Sequence, residues 1–160
     1  MSGNARPATT EKMRGNDVKY KKRSDGYRSG FEATVAANMT RGGAKFSYEA
    51  TTFPIRVPAR GHVCMECKGT RQIMRLTKYT PDFKIRSATG TVIETKGNLT
   101  ARNRAAMIAF IQQYPGIRYR VLFQRDNYLT KGSKTRYTKW GRDHSIICAV
   151  GDTPPKDWLK

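Results

Sequence analysis

Tyr79-Thr-Pro-Asp82-Phe83 and, one short turn later, Val92-Ile-Glu94-Thr-Lys96-Gly97 decide how the chain is read. Tyr79 to Arg86 and Thr91 to Lys96 are predicted as two strands, joined by Ser87-Ala-Thr-Gly90 as a hairpin turn. Side chains two apart on a strand share a face, so Glu94 and Lys96 point one way and Ile93 and Thr95 the other. Asp82, on the preceding strand, reaches the Glu94 face if the two strands pair. Two carboxylates beside an ammonium suit phosphodiester hydrolysis. A hard cation such as magnesium or manganese takes carboxylate oxygens, screens the phosphate and activates a water. A fixed positive charge helps where negative charge develops. A Glu and a Lys two apart are also common on solvated strand faces, and Asp after Pro often only forms a turn. The hairpin context favours chemistry, and so does composition: 31 Lys+Arg face only 12 Asp+Glu.

Upstream, Ser29-Gly-Phe-Glu32 has the form of a capping box. Phe31, Val35 and Met39 give the helix that follows one apolar stripe, and Gly42-Gly43 stops it. Phe46, Tyr48 and Ala50 alternate with polar residues as in a half-buried strand. Phe53 to Val57 extends it or bends away, because Pro54 and Pro58 suit only an edge. Downstream, Met107, Phe110, Ile111 and Tyr114 mark a helix over 101–114, which Pro115-Gly116 ends. Tyr119–Phe123 reads as an interior strand, followed by a short helix after Ser133, a strand over Ile146–Val150 and a Pro-rich end. The order α-β-β-β-α-β-α-β predicts an α/β fold with a mixed central sheet flanked by helices. Residues 27–160 are expected to form one domain, with 60–76 an inserted hairpin or loop. Residues 1–26, basic and nearly free of large apolar side chains, read as a flexible arm.

A net charge of +19 destabilises a compact chain by self-repulsion and points to a polyanionic partner. Nucleic acid fits, because cations that neutralise phosphates release condensed counterions. A membrane does not: no apolar run is long enough to span one, and no signal-peptide core or strongly amphipathic basic helix is present. Three cysteines, an odd count with no secretion signal, point to a reducing compartment.

The motifs Tyr27-Arg-Ser-Gly-Phe-Glu32, Phe46-Ser-Tyr-Glu49, Tyr79-Thr-Pro-Asp82-Phe83, Glu94-Thr-Lys96-Gly97, Lys131-Gly-Ser-Lys-Thr and Pro154-Pro-Lys-Asp-Trp158 resemble, in order, the phage endonuclease I family. That family lies within the PD-(D/E)XK nuclease superfamily. The resemblance covers residues 27–160 and implies a magnesium- or manganese-dependent endonuclease that resolves four-way (Holliday) junctions and cuts other branched or mismatched DNA. It implies Asp82 and Glu94 as metal ligands, Lys96 as the cation that orients water or stabilises the transition state, and Glu32 as a further catalytic acidic residue that binds metal or its water. It also implies an intertwined homodimer, in which Glu32 and the other three residues of one site come from different subunits. Its place of action would be the cytoplasm of an infected bacterial host.

On the residues alone, Glu32 serves equally as the second half of the capping box. Glu49 is read as a salt-bridge partner and His144 as a surface or packing residue. Residues 60–76 interrupt the family pattern. Their Cys64-Met-Glu-Cys67 has half the ligand spacing of a structural zinc site, with His62 and Cys148 as candidates for a third ligand and no evident fourth. Reduced thiols are the default there. Basic residues expected at DNA phosphates are Arg28, Lys68, Arg71, Arg75, Lys78, Lys131 and Lys134. The rivals are a different PD-(D/E)XK nuclease acting on duplex DNA and a non-catalytic basic DNA-binding protein.

Overall fold

The computed structural model describes residues 23–59, 62–63, 70–71 and 73–160, with backbone alone at 62, 63, 70 and 71. Most of the arm (1–22), Lys68, Cys64 and Cys67 lie outside them.

The centre is a five-stranded mixed sheet. Its strands are β1 (Phe46–Tyr48), β6 (Phe83–Ile85), β7 (Val92–Lys96), β8 (Tyr119–Phe123) and β9 (Ile147–Val150), in that spatial order. β1, β6 and β7 pair antiparallel, whereas β7, β8 and β9 run parallel. Parallel neighbours need crossovers, and the helices α2 (Ala101–Gln113) and α3 (Tyr137–Asp143) supply them. One sheet face carries Phe83, Ile85, Ile93 and Leu122, packed under helix α1 (Gly30–Arg41) through Val35, Ala36 and Met39; Trp158 of the C-terminal 3-10 turn belongs to the same core. The other carries Val92, Val121 and Phe123, packed under α2 and α3 through Met107, Phe110, Tyr137 and Trp140.

Two expected elements take a different form. Phe53–Pro58 (β2) does not continue β1 but pairs antiparallel with β5 (Met74–Tyr79) as a separate two-stranded ribbon. Ile55 and Val57 of its inner face join the α2 core, while Pro54, Arg56 and Pro58 are exposed. Both strands of a two-stranded ribbon are edges, which is where Pro is tolerated. Between them the backbone of β3 (His62–Val63) pairs with that of β4 (Thr70–Arg71). The expected strand over Tyr79–Arg86 is therefore split: Tyr79 ends the ribbon, and the chain turns at Thr80–Asp82 before β6. Pro81 accounts for the break, since it lacks an N–H and restricts the residue before it.

Helix starts follow the local sequence. Ser29 caps α1 by accepting from Glu32 N at 3.2 Å, as the S-x-x-E spacing predicts. Thr100 and Asn103 form a capping box on α2 that the apolar spacing alone does not reveal. Ser87–Gly90 makes the expected turn, with Gly90 at φ +56°. His144 stacks on Trp140 with centroids 4.9 Å apart and is a packing residue. No helix among the described residues is long and apolar enough to cross a membrane.

Candidate active site

Phe83 lies opposite Ile93 across the β6–β7 ladder, so one further step in register places Asp82 beside Glu94. Both carboxylates are buried, at 5% and 3% exposure. Thr95, whose side chain is on the opposite face from Glu94, clasps Asp82: its N and Oγ1 each donate to Asp82 Oδ2 at 2.7 Å. Lys96 Nζ pairs with Glu94 Oε1 and also donates to Thr95 O at 3.1 Å. Glu94 Oε2 is buried with no hydrogen-bond partner among the described residues.

The charges explain one another. Burial pushes the Asp82 carboxyl up to about 7, helped by the negative charge of Glu94 and opposed by Lys96 and Thr95. Burial alone would lower Lys96, but Glu94 and Asp82 outweigh it and the ammonium is held above its ordinary range. Beneath the group, Tyr79 and Tyr119 share a 2.5 Å hydroxyl contact, and burial followed by the Glu94 charge raises both well above the usual phenol range. Two carboxylates and one cation are thus enclosed together, with the Tyr79 hydroxyl as the protic neighbour of Glu94 and no second cation at its Oε2. Burying an unpaired charge or acceptor costs several kcal/mol unless something compensates it, so the group fits a small hard cation.

The structure therefore brings together Asp82, Glu94 and Lys96. Glu32 is placed on α1 nearby, and its charge contributes to raising Lys96, but its carboxylate is engaged elsewhere. Tyr48 OH and Ser29 Oγ donate to it, the latter at 2.8 Å, and Arg28 N donates at 3.2 Å. Its reach back along the chain thus ends on Arg28 N and the Ser29 hydroxyl. Glu49 pairs with Arg28 at 2.5 Å, so this arginine is held against an acid. Glu49 also stands at φ +46°, a costly conformation for a residue with a Cβ, and its N donates to Asp82 O at 2.8 Å. The kink that ends β1 is thereby tied to the site.

Arg75 and Lys78, on β5, flank a groove between the ribbon and the start of α2, where Arg102 joins them. Lys131 and Lys134 are exposed on the loop after β8. Lys68 and the side chain of Arg71 lie outside the described residues. Cys148 packs against Gly141 and donates to Ile146 O at 3.4 Å, and burial pushes its thiol up to about 12. Among the described residues no group of three or more His, Cys, Asp or Glu could together hold a metal. The sequence does not single out Thr95, Tyr79, Tyr119 or Arg102. Thr95 is recognisable only once the pairing of Asp82 with β7 is known.

The family model for phage endonuclease I matches residues 13–160. Endonuclease I of Escherichia phage T7 is 30% identical over 149 residues, covering 92% of this chain and 88% of that protein. Endodeoxyribonuclease 1 of Enterobacteria phage T3 is 32% identical over 124 residues, covering 77% and 70%. With the match spanning both core faces, the Asp82–Glu94–Lys96 group and the C-terminal turn, the chain belongs to the phage endonuclease I family.

Proposed function

We propose that this endodeoxyribonuclease depends on a divalent metal and cuts branched DNA, such as four-way junctions, as an intertwined homodimer with a PD-(D/E)XK-type site. The observation that supports the metal requirement is the pair of buried carboxylates, Asp82 and Glu94, with Lys96 on one oxygen of Glu94 and no cation on the other. Magnesium keeps several waters and binds through one or two carboxylates plus substrate phosphate, so Asp82 and Glu94 suffice to hold it, with Glu32 as a further acidic residue. When bound, such an ion, or manganese in its place, screens the phosphate and lowers the pKa of a water. The chain's own residues do the rest. Thr95 fixes Asp82 through two hydrogen bonds. Lys96, kept protonated by its acidic neighbours, offers positive charge to the phosphate as negative charge grows. Surrounding apolar residues exclude bulk water and strengthen each of these interactions.

The homodimer rests on family membership and on symmetry. In the single chain α1 and β1 pack on their own sheet. Exchange of that identical segment between two copies would remake the same contacts, and two sites in a two-fold dimer match a two-fold substrate. Such an enzyme would act in the cytoplasm of the infected host. The Cys64–Cys67 pair has no part in this proposal.

A gel assay tests it. A four-way junction and a linear duplex of matched sequence are incubated with the protein in magnesium or in EDTA. Paired incisions on the junction, in magnesium alone, are expected. Cutting in EDTA would contradict the metal requirement, and equal cutting of linear duplex would favour a duplex-specific PD-(D/E)XK nuclease. The shared site has its own test. Co-expressed Glu32→Ala and Glu94→Ala chains, each inactive alone, should give a mixed dimer with one intact site that nicks one strand. An inactive verified heterodimer would place Glu32 in its own chain's site or in the helix cap.

A further inference from the structure

Between β8 and α3 the chain makes a loop, residues 124–136, in which the sequence marks only Lys131 and Lys134. The structure adds an exposed aromatic ring. Tyr128 is 49% exposed and contributes nothing to either core. The Arg136 guanidinium lies 4.4 Å from its centroid and donates to the Tyr128 hydroxyl at 3.2 Å and to Asp126 O at 2.8 Å. The backbones of Tyr128 and Arg136 bridge, and Leu129 N donates to Thr135 O at 3.0 Å. The ring is thus fixed before any ligand arrives, with exposed Arg125, Lys131 and Lys134 on the same loop.

The loop is tied at one end to β7 and at the other to the turn that follows β7. Gln124 N donates to Lys96 O at 3.0 Å. Tyr137, just past the loop, accepts from Leu99 N at 3.1 Å and donates to Asn98 Oδ1 at 3.3 Å. Four residues separate Gln124 from Tyr128, a reach of at most about 14 Å. The loop leaves the sheet at the end of β7 that carries Lys96.

A rigid aromatic face among cations is the composition that binds unstacked bases. Within continuous duplex each base face is covered by its neighbours. At a branch point, bulge or mismatch a face is free. We infer that Tyr128, backed by Arg136, stacks one unpaired or unstacked base of the DNA and so positions the scissile strand on Asp82, Glu94 and Lys96. The inference rests on DNA being the substrate, as proposed above.

The test places 2-aminopurine in a one-base bulge and measures its quenching and the affinity, in EDTA, of wild type, Tyr128→Phe, Tyr128→Ala and Lys131→Ala. A perfect duplex is the comparison. Wild type and Tyr128→Phe should quench the probe. Tyr128→Ala should lose the quenching and about tenfold in affinity for bulged DNA, with less than a twofold change on duplex. Lys131→Ala should weaken both DNAs alike and make the slope of log affinity against log salt shallower by about 0.9. Unchanged quenching in Tyr128→Ala overturns the inference. So does an equal loss on bulged and duplex DNA, which would make the ring a prop for Arg136 on a phosphate. If wild type binds neither DNA, the substrate reading fails and this inference falls with it. Because the ring is exposed, all variants should melt with wild type, and the Phe variant preserves the packing of Arg136.

Discussion

Replacing Asp82 with Asn should stabilise the metal-free protein at alkaline pH, although it removes an acidic residue proposed to be essential. Asp82 and Glu94 are buried near one another with one ammonium, paired with Glu94, and burial pushes the Asp82 carboxyl up to about 7 from its ordinary 3.8. The folded state therefore binds this proton more tightly than the unfolded chain does. Stability falls as pH rises from about 4 to about 7 and stays low above that, because the unfolded state holds fewer protons across the interval. Keeping the group ionised at pH 8 costs up to about 4 kcal/mol at 1.36 kcal/mol per pH unit. Asn removes the charge, and its Oδ1 still accepts from Thr95 N and Oγ1. Glu94 and Lys96 remain as a neutral pair. A chain of this size shifts by roughly 2–4 °C per kcal/mol, so Asp82→Asn in EDTA at pH 8 should melt on the order of 10 °C above wild type. The gain should vanish toward pH 4. Magnesium should raise the wild-type melting temperature and leave the variant nearly unmoved, since binding to the native state alone is what stabilises. Calorimetry at pH 5 and pH 8, with EDTA or magnesium, reads all four conditions. A variant less stable than wild type at pH 8 in EDTA, or an equal magnesium response in both, would refute the reasoning.

Lys96→Ala should lower the single-turnover cleavage rate by about a hundredfold or more and change junction affinity by less than about threefold, because a cation facing developing charge acts in the transition state; rapid quench alongside a binding titration separates the two. Deleting residues 1–22 removes six cations, Arg6, Lys12, Arg14, Lys19, Lys21 and Lys22. The salt slope of DNA affinity should become shallower by about 0.9 for each lost phosphate contact, and an unchanged slope would make the arm a bystander. A Cβ added at Gly141 would stand 2.3 Å from Cys148 Sγ. Gly141→Ala should therefore cost about 1–3 kcal/mol by overpacking, and adding Cys148→Ala should recover most of it in denaturant titrations.

What was legible in the sequence was local and periodic. The two-residue alternation of Val92–Lys96 sets Glu94 and Lys96 on one face, and Ser29 and Gly90 mark a helix start and a turn. What was not legible depends on partners distant along the chain. Phe53–Pro58 has the same apolar alternation whether it extends β1 or leaves the sheet. Its pairing with Met74–Tyr79 is decided by packing Ile55 and Val57 on α2. The break at Pro81 was visible as a proline, but its effect, carrying Tyr79 into the ribbon and Asp82 to the sheet, needs both pairings at once. The Thr95 clasp on Asp82 and the Tyr79–Tyr119 pair beneath Glu94 are cross-strand contacts. No spacing within one strand encodes them. Glu32 shows the limit most clearly. Its spacing from Ser29 predicts a cap, its motif predicts catalysis, and the structure gives it Tyr48 as a partner that neither names.

In the proposed site Glu94 holds metal and not DNA. Glu94→Gln, mixed with a four-way junction in magnesium, should leave the junction uncut over a time in which wild type completes both incisions. Its affinity for the junction should match or exceed wild type, since a negative charge facing the phosphate has gone. Cleavage by Glu94→Gln at the wild-type rate, or loss of binding together with cleavage, would contradict the assignment of the site.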